Sequence, residues 1–235
     1  MKSWIEFWNA DNPIYVNARH KLLHYRLIAQ GIADLVPEAD AVVLDYGCGE
    51  ALSAGLVAAR CKKLLLADAA PSVREKLNRS FGEIRSIHVL SPDEVRALTA
   101  GSVDLVVIHS VAQYLGKTEF STLIGELADK LKPGGSLVIG DILPNGLPAI
   151  TDAMALIRFA FEGGFFFPAL LGLARTALSD YRKLRGELGL THYDEAEMLA
   201  MLDHAGLTAR RLEKNIGHNQ ARMAFGAVKF REPEP

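Results

Sequence analysis

The chain has 235 residues, of which 49% are hydrophobic, 23% charged and 8% aromatic, the composition of a folded globular protein rather than a disordered or fibrous one. Its 26 lysines and arginines against 28 aspartates and glutamates leave no surplus of cations to neutralise a phosphate backbone, which argues against nucleic acid as the principal partner. A mean hydropathy of +0.12 is slightly high, so apolar residues must fill either a large core or an apolar site.

The first nine residues place Glu6 inside an apolar stretch and lead to no small-residue cleavage site, so no secretory signal is expected. Trp4 and Trp8 share one helix face, either packing a short N-terminal helix or closing over a site. A second helix is expected from about Asn17 to Leu35, where Leu22, Leu23, Leu27, Ile28 and Ile32 recur at helical spacing. Residues 1–38 thus read as N-terminal helices, or a lid, on a domain covering 39–235.

From Ala41 the text alternates between short apolar runs and amphipathic segments. Ala41–Leu44, Lys63–Ala67, Ile87–Leu90, Val103–Ile108 and Leu137–Ile139 are continuous in their hydrophobicity, the mark of strands buried on both faces. Between them, Ser91-Pro92-Asp93-Glu94 is a capping box with proline at the first helical position, and Thr118 is expected to cap the helix running to Leu131. The expected fold is α/β, a doubly wound and mainly parallel sheet. After Asp141 the alternation stops from about 142 to 190 and becomes apolar helical text, read as a cap insertion. A helix from Asp194 to Ala205 and two runs, Leu207–Lys214 and Ala221–Phe230, then form a terminal hairpin around the link Asn215–Gln220. Residues 231–235 read as frayed.

The most apolar stretch, Phe159 to Ala177, is interrupted by Glu162, Gly163, Gly164, Pro168 and Arg175, short of the roughly 20 apolar residues a spanning helix needs. No stable membrane insertion is expected. Cys48 and Cys61 are the two cysteines, too few for a disulfide framework and without zinc spacing, which points to a reducing, cytoplasmic compartment and no metal.

The strongest signal is Leu44-Asp45-Tyr46-Gly47-Cys48-Gly49, a buried strand that ends in an acid and then G-x-G. Glycines there let a ligand approach the backbone. A pyrophosphate loop would continue as G-x-G-x-x-G, but the next glycine is Gly55, and Asp45 would repel a phosphate. The expected ligand carries positive charge and no phosphate.

This segment resembles the first motif of the class I S-adenosylmethionine-dependent methyltransferases, particularly the small-molecule branch that includes ubiquinone and menaquinone biosynthesis enzymes, although Ala51 stands where a third glycine is often found. Leu66-Ala67-Asp68 is similar to the family's second strand end, Gly101-Ser102-Val103-Asp104-Leu105-Val106-Val107 to its fourth-strand motif, and Leu131-Lys132-Pro133-Gly134-Gly135 to its turn into the fifth strand. The resemblance covers about 42–141 well and 191 to the end weakly. It implies a seven-stranded Rossmann-like sheet with a terminal antiparallel strand and S-adenosylmethionine as cofactor. Asp45, Gly47, Cys48 and Gly49 would line the methionine end, Asp68 and Ala69 the ribose, and His109-Ser110 would touch the cofactor. The adenine would meet Asp93 or Glu94, whose capping role is the competing explanation.

Methyl transfer needs alignment of acceptor and methyl group more than it needs a metal. Reacting groups in such sheets lie beyond the carboxyl ends of the strands, where His109 and His218 are the candidate bases. Tyr15, Tyr114, Asp141, Phe165, Phe166, His218 and Asn219 are the candidate acceptor-side residues. His20 and His24 share a helix face without a metalloprotease pattern, and a structural or substrate-facing role is expected. His88 and His204 read as surface positions, His192 as capping text, and Asn12-Pro13-Ile14-Tyr15 as a turn. The run Phe159–Pro168 is read as an apolar acceptor pocket, ahead of a homodimer contact or a membrane surface. The expected activity is methylation of a small, apolar or aromatic acceptor, oxygen slightly favoured over nitrogen or carbon. The rivals are an inactive binding or assembly protein with this fold, and an NAD-dependent oxidoreductase.

Overall fold

A computed structural model of the chain describes residues 4–9, 15–176 and 189–230. Its framework is a seven-stranded sheet with strands β1 (Val42–Tyr46), β2 (Lys63–Ala67), β3 (Ile87–Leu90), β4 (Val103–His109), β5 (Leu131–Ile142), β6 (Leu207–Arg211) and β7 (Met223–Lys229). They lie in the order β3-β2-β1-β4-β5-β7-β6. Strands β1 to β5 pair in parallel, and β7 runs antiparallel to both its neighbours.

Apolar runs become strands here because both faces are covered. Successive residues point to opposite sides of a pleated sheet, and the core divides accordingly. Leu64, Leu66, Leu105 and Val107 meet Ile32 of α2 (Ala18–Leu35), Val57 of α3 (Ala54–Ala58) and Leu77 of α4 (Pro71–Phe81). Leu65, Val106, Ile108 and Ile139 meet Phe120 and Ile124 of α6 (Lys117–Lys130) and Met198 of α9 (Glu195–His204). The short helix α1 (Trp4–Asn9) and the one-turn helix α5 (Pro92–Arg96) complete the layers.

Several boundaries follow the text closely. Asn17 caps α2, its side chain accepting from His20 N–H at 2.8 Å, and the Ser91–Glu94 capping box forms as expected. Others move for local reasons. Helix α6 begins at Lys117 with Gly116 as its cap, so Thr118 lies inside the helix rather than capping it. Strand β5 starts at Leu131, paired with Val103, because a register shift between Val103 and Leu105 absorbs the Pro-Gly-Gly turn. The hairpin strands stop short at Arg211 and Met223. Beyond Leu212, the side chain of Gln220 replaces strand pairing by accepting from Asn215 N–H at 2.9 Å and donating to the carbonyls of Asn215 and Gly217.

The insertion is a helical hairpin, α7 (Ala149–Gly163) and α8 (Phe166–Thr176), turned by Gly164 in the left-handed region at φ 69°. Its base is closed by a bridge between Pro144 and Tyr193. Arg19 of α2 donates to the carbonyl of Gly163 at 2.5 Å, so the cap leans on the second helix. Residues 177–188, the turn at Asn12 to Ile14 and the end at 231–235 lie outside the described residues. Among the described residues, no helix is long and apolar enough to cross a membrane.

Candidate active site

The carboxyl ends of β1, β2, β4 and β5 open into one cavity of about 1760 Å³, roofed by α1, α2 and the cap helices. Its first half is built from backbone. Gly47 has φ +75°, and a Cβ there would meet Val111 Cγ2 at 2.2 Å; one on Gly49, at φ +58°, would lie 2.6 Å from the Tyr25 hydroxyl. Glycine is therefore required twice, by conformation and by space. The N–H groups of Gly47 and Cys48 donate to the Ala67 carbonyl, fastening the loop to the end of β2. Asp68 completes it, accepting from Gly49 N–H at 3.1 Å and Ala70 N–H at 2.8 Å.

Two acids therefore share this half. Burial, and then the nearby Asp68, push Asp45 up to about 7, and burial likewise raises Asp68 against the pull of its two N–H donors. A pair of reluctant carboxylates repels phosphate and rewards a cation. Burial, with Asp45 and Asp68 beside it, holds the Cys48 thiol far above its usual range, so it is a wall and not a nucleophile.

The second half is built from side chains. At the ends of β4 and β5, Ser110 (φ 59°) and Asp141 (φ 64°) both sit in the left-handed region, a conformation that costs a non-glycine residue on the order of 1 to 3 kcal/mol and clusters at working sites. Ser110 Oγ donates its one proton to Asp141 at 2.5 Å, so the 3.0 Å contact between Ser110 Oγ and His109 Nδ1 must have the imidazole donating. That leaves the lone pair of His109 on Nε2, which is buried with no hydrogen-bond partner. The ring is wedged between two glycines: a Cβ on Gly140 would lie 2.9 Å from Cδ2, and one on Gly217 would lie 3.1 Å from Nε2. Burial lowers the His109 pKa; Asp141 opposes this, and Arg222 and His218 add to it.

Arg222, immediately before β7, holds this half together. It donates to Asp141 at 2.8 Å, to the Gln113 side chain at 3.1 Å, and through Nε and Nη2 to Asp152 of α7 at 3.2 and 3.0 Å. Burial alone would raise Asp141, but Arg222, His109 and the Ser110 hydroxyl hold it below the usual carboxylate range. Around them stand three more imidazoles. His20 stacks on Phe165 at 5.0 Å and His218 on Phe159 at 4.8 Å, while His24 faces His218 at 6.2 Å. Burial first, and then neighbouring imidazoles, bring His20 down to about 4 and His24 to about 3; burial also lowers His218. Among the described residues, no three His, Cys, Asp or Glu side chains are placed to hold a metal ion.

Of the residues singled out in the sequence, Asp45, Gly47, Cys48, Gly49, Asp68, Ala69, His109, Ser110, Tyr15, Tyr114, Asp141 and His218 all line the cavity. Five do not, and are corrected. The Glu94 carboxylate is taken by Ser91, and Asp93 pairs with Arg96 on the surface; the cavity wall there is Pro92 and Arg96. Phe165 is buried in a cluster of its own with Ala160 and Ala169, where it supports His20. Phe166 packs edge-on to Phe161 and Phe167 outside the cavity. Asn219 is structural, donating to Asp152 at 2.7 Å and accepting on its carbonyl from Asn215. His88 and His204 are exposed, as expected.

Sequence reading missed Arg222 and Asp152. No motif marks them; an arginine before an apolar run was the one available signal. Trp4 and Trp8 close on Tyr114 at 4.7 and 5.5 Å, and Asn9 ties α1 to the start of α4 through two 2.9 Å hydrogen bonds with Ser72. The first helix thus spans the mouth between the ends of β2 and β4.

Residues 44–139 match a family model described as a methyltransferase domain. No curated protein is significantly similar in sequence. Among solved structures, magnesium protoporphyrin IX methyltransferase from Synechocystis PCC 6803 with bound SAH is 19% identical, with a TM-score of 0.59 over 95% of this chain and 91% of that one. The N-methyltransferase NodS from Bradyrhizobium japonicum WM9, in complex with S-adenosyl-L-homocysteine, is 20% identical, with a TM-score of 0.57 over 98% and 97%. The YcgJ protein of Bacillus subtilis is 14% identical, with a TM-score of 0.61 over 89% and 100%. At these identities the likeness is one of fold, and the fold is the Rossmann-like methyltransferase sheet.

Proposed function

We propose that this chain, a methyltransferase fold whose residues 44–139 match a methyltransferase domain, transfers the methyl group of S-adenosylmethionine to an oxygen of a small neutral acceptor. The cofactor half fits that molecule. The sulfonium and ammonium charges meet Asp45, the vicinal hydroxyls meet free lone pairs of Asp68, and the glycines admit the methionine end against backbone. Two structural neighbours carry SAH in their sites, which supports the same cofactor here. Two acids with raised pKa values at the loop speak against NAD, whose pyrophosphate they would repel.

Bound S-adenosylmethionine supplies an electrophilic methyl group. The residues of the chain do the rest. One observation carries the assignment of oxygen: His109 presents an unpartnered, buried Nε2 lone pair, with its Nδ1–H committed through Ser110 to Asp141. In this reading the acceptor hydroxyl becomes its donor once the Gly217 edge that covers Nε2 gives way. As the methyl–oxygen bond forms, Nε2 takes the hydroxyl proton and Asp141 steadies the resulting imidazolium through Ser110. An acceptor with a fixed positive charge finds no unpaired carboxylate there, since Arg222 holds both Asp141 and Asp152.

The test is methyl transfer from labelled S-adenosylmethionine to a panel of phenols and aliphatic alcohols. His109→Ala should lower kcat by about 10²- to 10⁴-fold, the usual range for loss of a general base, a far larger effect than any on cofactor affinity. Undiminished turnover by the variant would remove the base. A second reading, an assembly protein using its cap as an interface with a second copy or another protein, is favoured by the exposure of Phe161 (76%) and Phe167 (77%). Tight cofactor binding with no turnover on any acceptor would support it instead.

A further inference from the structure

The cap turns an apolar face away from the cavity. On α7 the exposed stripe is Ile150, Met154, Arg158 and Phe161, recurring at helical spacing, and on α8 it is Phe167, Leu170 and Leu171. The two stripes join at the turn, where the rings of Phe161 and Phe166 lie 6.4 Å apart and those of Phe166 and Phe167 5.7 Å apart. The other side of the same hairpin lines the cavity through Leu156 and Gly172.

Apolar exposure on this scale marks a contact surface, but exposure alone does not choose the partner. Charge does. Helix α2 lies against the turn, with Arg19 donating to the Gly163 carbonyl and Leu23 placed 2.8 Å from where a Cβ on Gly163 would stand. Its exposed residues Arg19, Leu22 and Arg26 share one stripe, two cations around a leucine. Among the described residues, Arg19 has no partner beyond that carbonyl and Arg26 has none. The acids of the two cap helices are both taken, Glu162 by Arg158 at 3.1 Å and Asp152 by Arg222 at 3.0 Å. A chain with a formal charge of -2 therefore carries an unneutralised cationic stripe where its phenylalanines are exposed.

We propose that this face docks on the surface of an anionic phospholipid bilayer, with Phe161 and Phe167 entering the boundary between headgroups and acyl chains and Arg19 and Arg26 meeting lipid phosphates. Such a face combines the two attractions that hold a helix at a membrane interface, apolar burial and basic charge against anionic lipid. The contact is peripheral, because among the described residues no helix is long and apolar enough to cross a membrane. A second copy is a poorer match: two-fold pairing of this face brings two cationic stripes together with no free carboxylate on either pair of cap helices to answer them. Shape points the same way. Phe161 and Phe167 each leave more than three-quarters of their surface in water, so they project as wedges into a yielding partner rather than line a groove that receives a peptide. The proposal stands apart from the methyl-transfer reading, since it concerns the outer side of the cap.

The test sediments the full chain with vesicles of phosphatidylcholine alone, or of phosphatidylcholine mixed with phosphatidylglycerol. The wild-type protein should bind the mixed vesicles about tenfold or more tightly than the neutral ones, and the difference should shrink as salt is raised. Replacing both Phe161→Ser and Phe167→Ser should lower binding to the mixed vesicles by about tenfold or more, the order that burial of apolar side chains supplies. Arg26→Gln should lower it by about fivefold, the share of one basic residue at such a surface. All three positions are exposed, so thermal unfolding of the variants should match the wild type and show that they fold. The wild-type protein gives an independent reading: with mixed vesicles, amide hydrogen exchange should slow over residues 161–171 and stay unchanged over β1 to β3. No binding by the wild type, equal binding to both kinds of vesicle, undiminished binding by the folded phenylalanine variant, or unchanged exchange over the turn would overturn the proposal. If vesicles are ignored and the wild type sediments as a dimer that the phenylalanine variant does not form, the face belongs to a second copy; if vesicles are ignored by a monomer, it belongs to an acidic protein, and the proposal fails in either case.

Discussion

The two halves of the cavity solve opposite electrostatic problems with different materials. The half at the ends of β1 and β2 is shaped by backbone, with Gly47 and Gly49 in positive-φ conformations and the loop tied to Ala67; it keeps two acids whose pKa values are raised by burial, a rise that Arg74 only partly opposes at Asp68. The half at β4, β5 and the cap is shaped by side chains, and its central charges are paired: Arg222 lies between Asp141 and Asp152, and four imidazoles are held neutral around it. One half is prepared for a positive charge that arrives from outside, and the other for a neutral molecule with protons to give.

That contrast can be broken from either side. The largest effect is expected at Arg222. Replacing it with methionine leaves Asp141 and Asp152 without their common partner, and breaking a buried pair this way costs about 3 to 5 kcal/mol. Urea denaturation measures it, and the loss should be accompanied by loosening of the cap, since Asp152 is on α7. Asp68→Ala should weaken S-adenosylmethionine binding by on the order of 1.5 to 3 kcal/mol, read by calorimetry; unchanged affinity would remove Asp68 from the cofactor half.

Acid reaches Asp45 of the first half first, at about pH 7, but because that pKa is raised its protonation does not cost stability; the acid-dependent loss of stability is expected in the second half. The unfolded chain protonates His20 and His24 near pH 6.5, whereas the folded chain does so only near about 4 and about 3. Both are lowered, so their contribution to stability is full above pH 6.5 and is lost as pH falls through the folded values, at no more than about 1.4 kcal/mol per pH unit for each imidazole. A His20→Asn, His24→Asn double variant should lose less stability between pH 6.5 and 4 than the wild type. The smallest effect is steric. Gly217→Ala places a methyl group against His109 Nε2 and should lower methyl transfer severalfold with little change in cofactor affinity, the two being measured on one preparation.

The same contrast explains how much was legible in the sequence. A parallel sheet writes itself as continuous apolar runs, and a backbone loop as glycines next to an acid, so the strands, their order of appearance and the glycine-loop half of the cavity were readable from neighbouring residues. The half at β4, β5 and the cap is assembled from residues as far apart as His24, His109, Asp152 and Arg222, and no local pattern announces an arginine bridging two acids or an imidazole left without a partner. Phe165 and Phe166 misled for a related reason. An aromatic run signals burial, but not whether it lines a cavity or, as with Phe165 beneath His20, packs behind a residue that does. Asp93 and Glu94 offered two explanations, and the geometry chose capping and a surface pair.

The most direct test of the central claim is calorimetric titration of the wild-type protein with S-adenosylmethionine and with NAD, repeated in buffers of different ionisation enthalpy. The account predicts binding of S-adenosylmethionine with release of a proton near pH 7, because a cation beside Asp45, whose pKa stands at about 7, drives the remaining protonated fraction to ionise. It predicts no binding of NAD. Failure to bind S-adenosylmethionine, or tight binding of NAD, would contradict it.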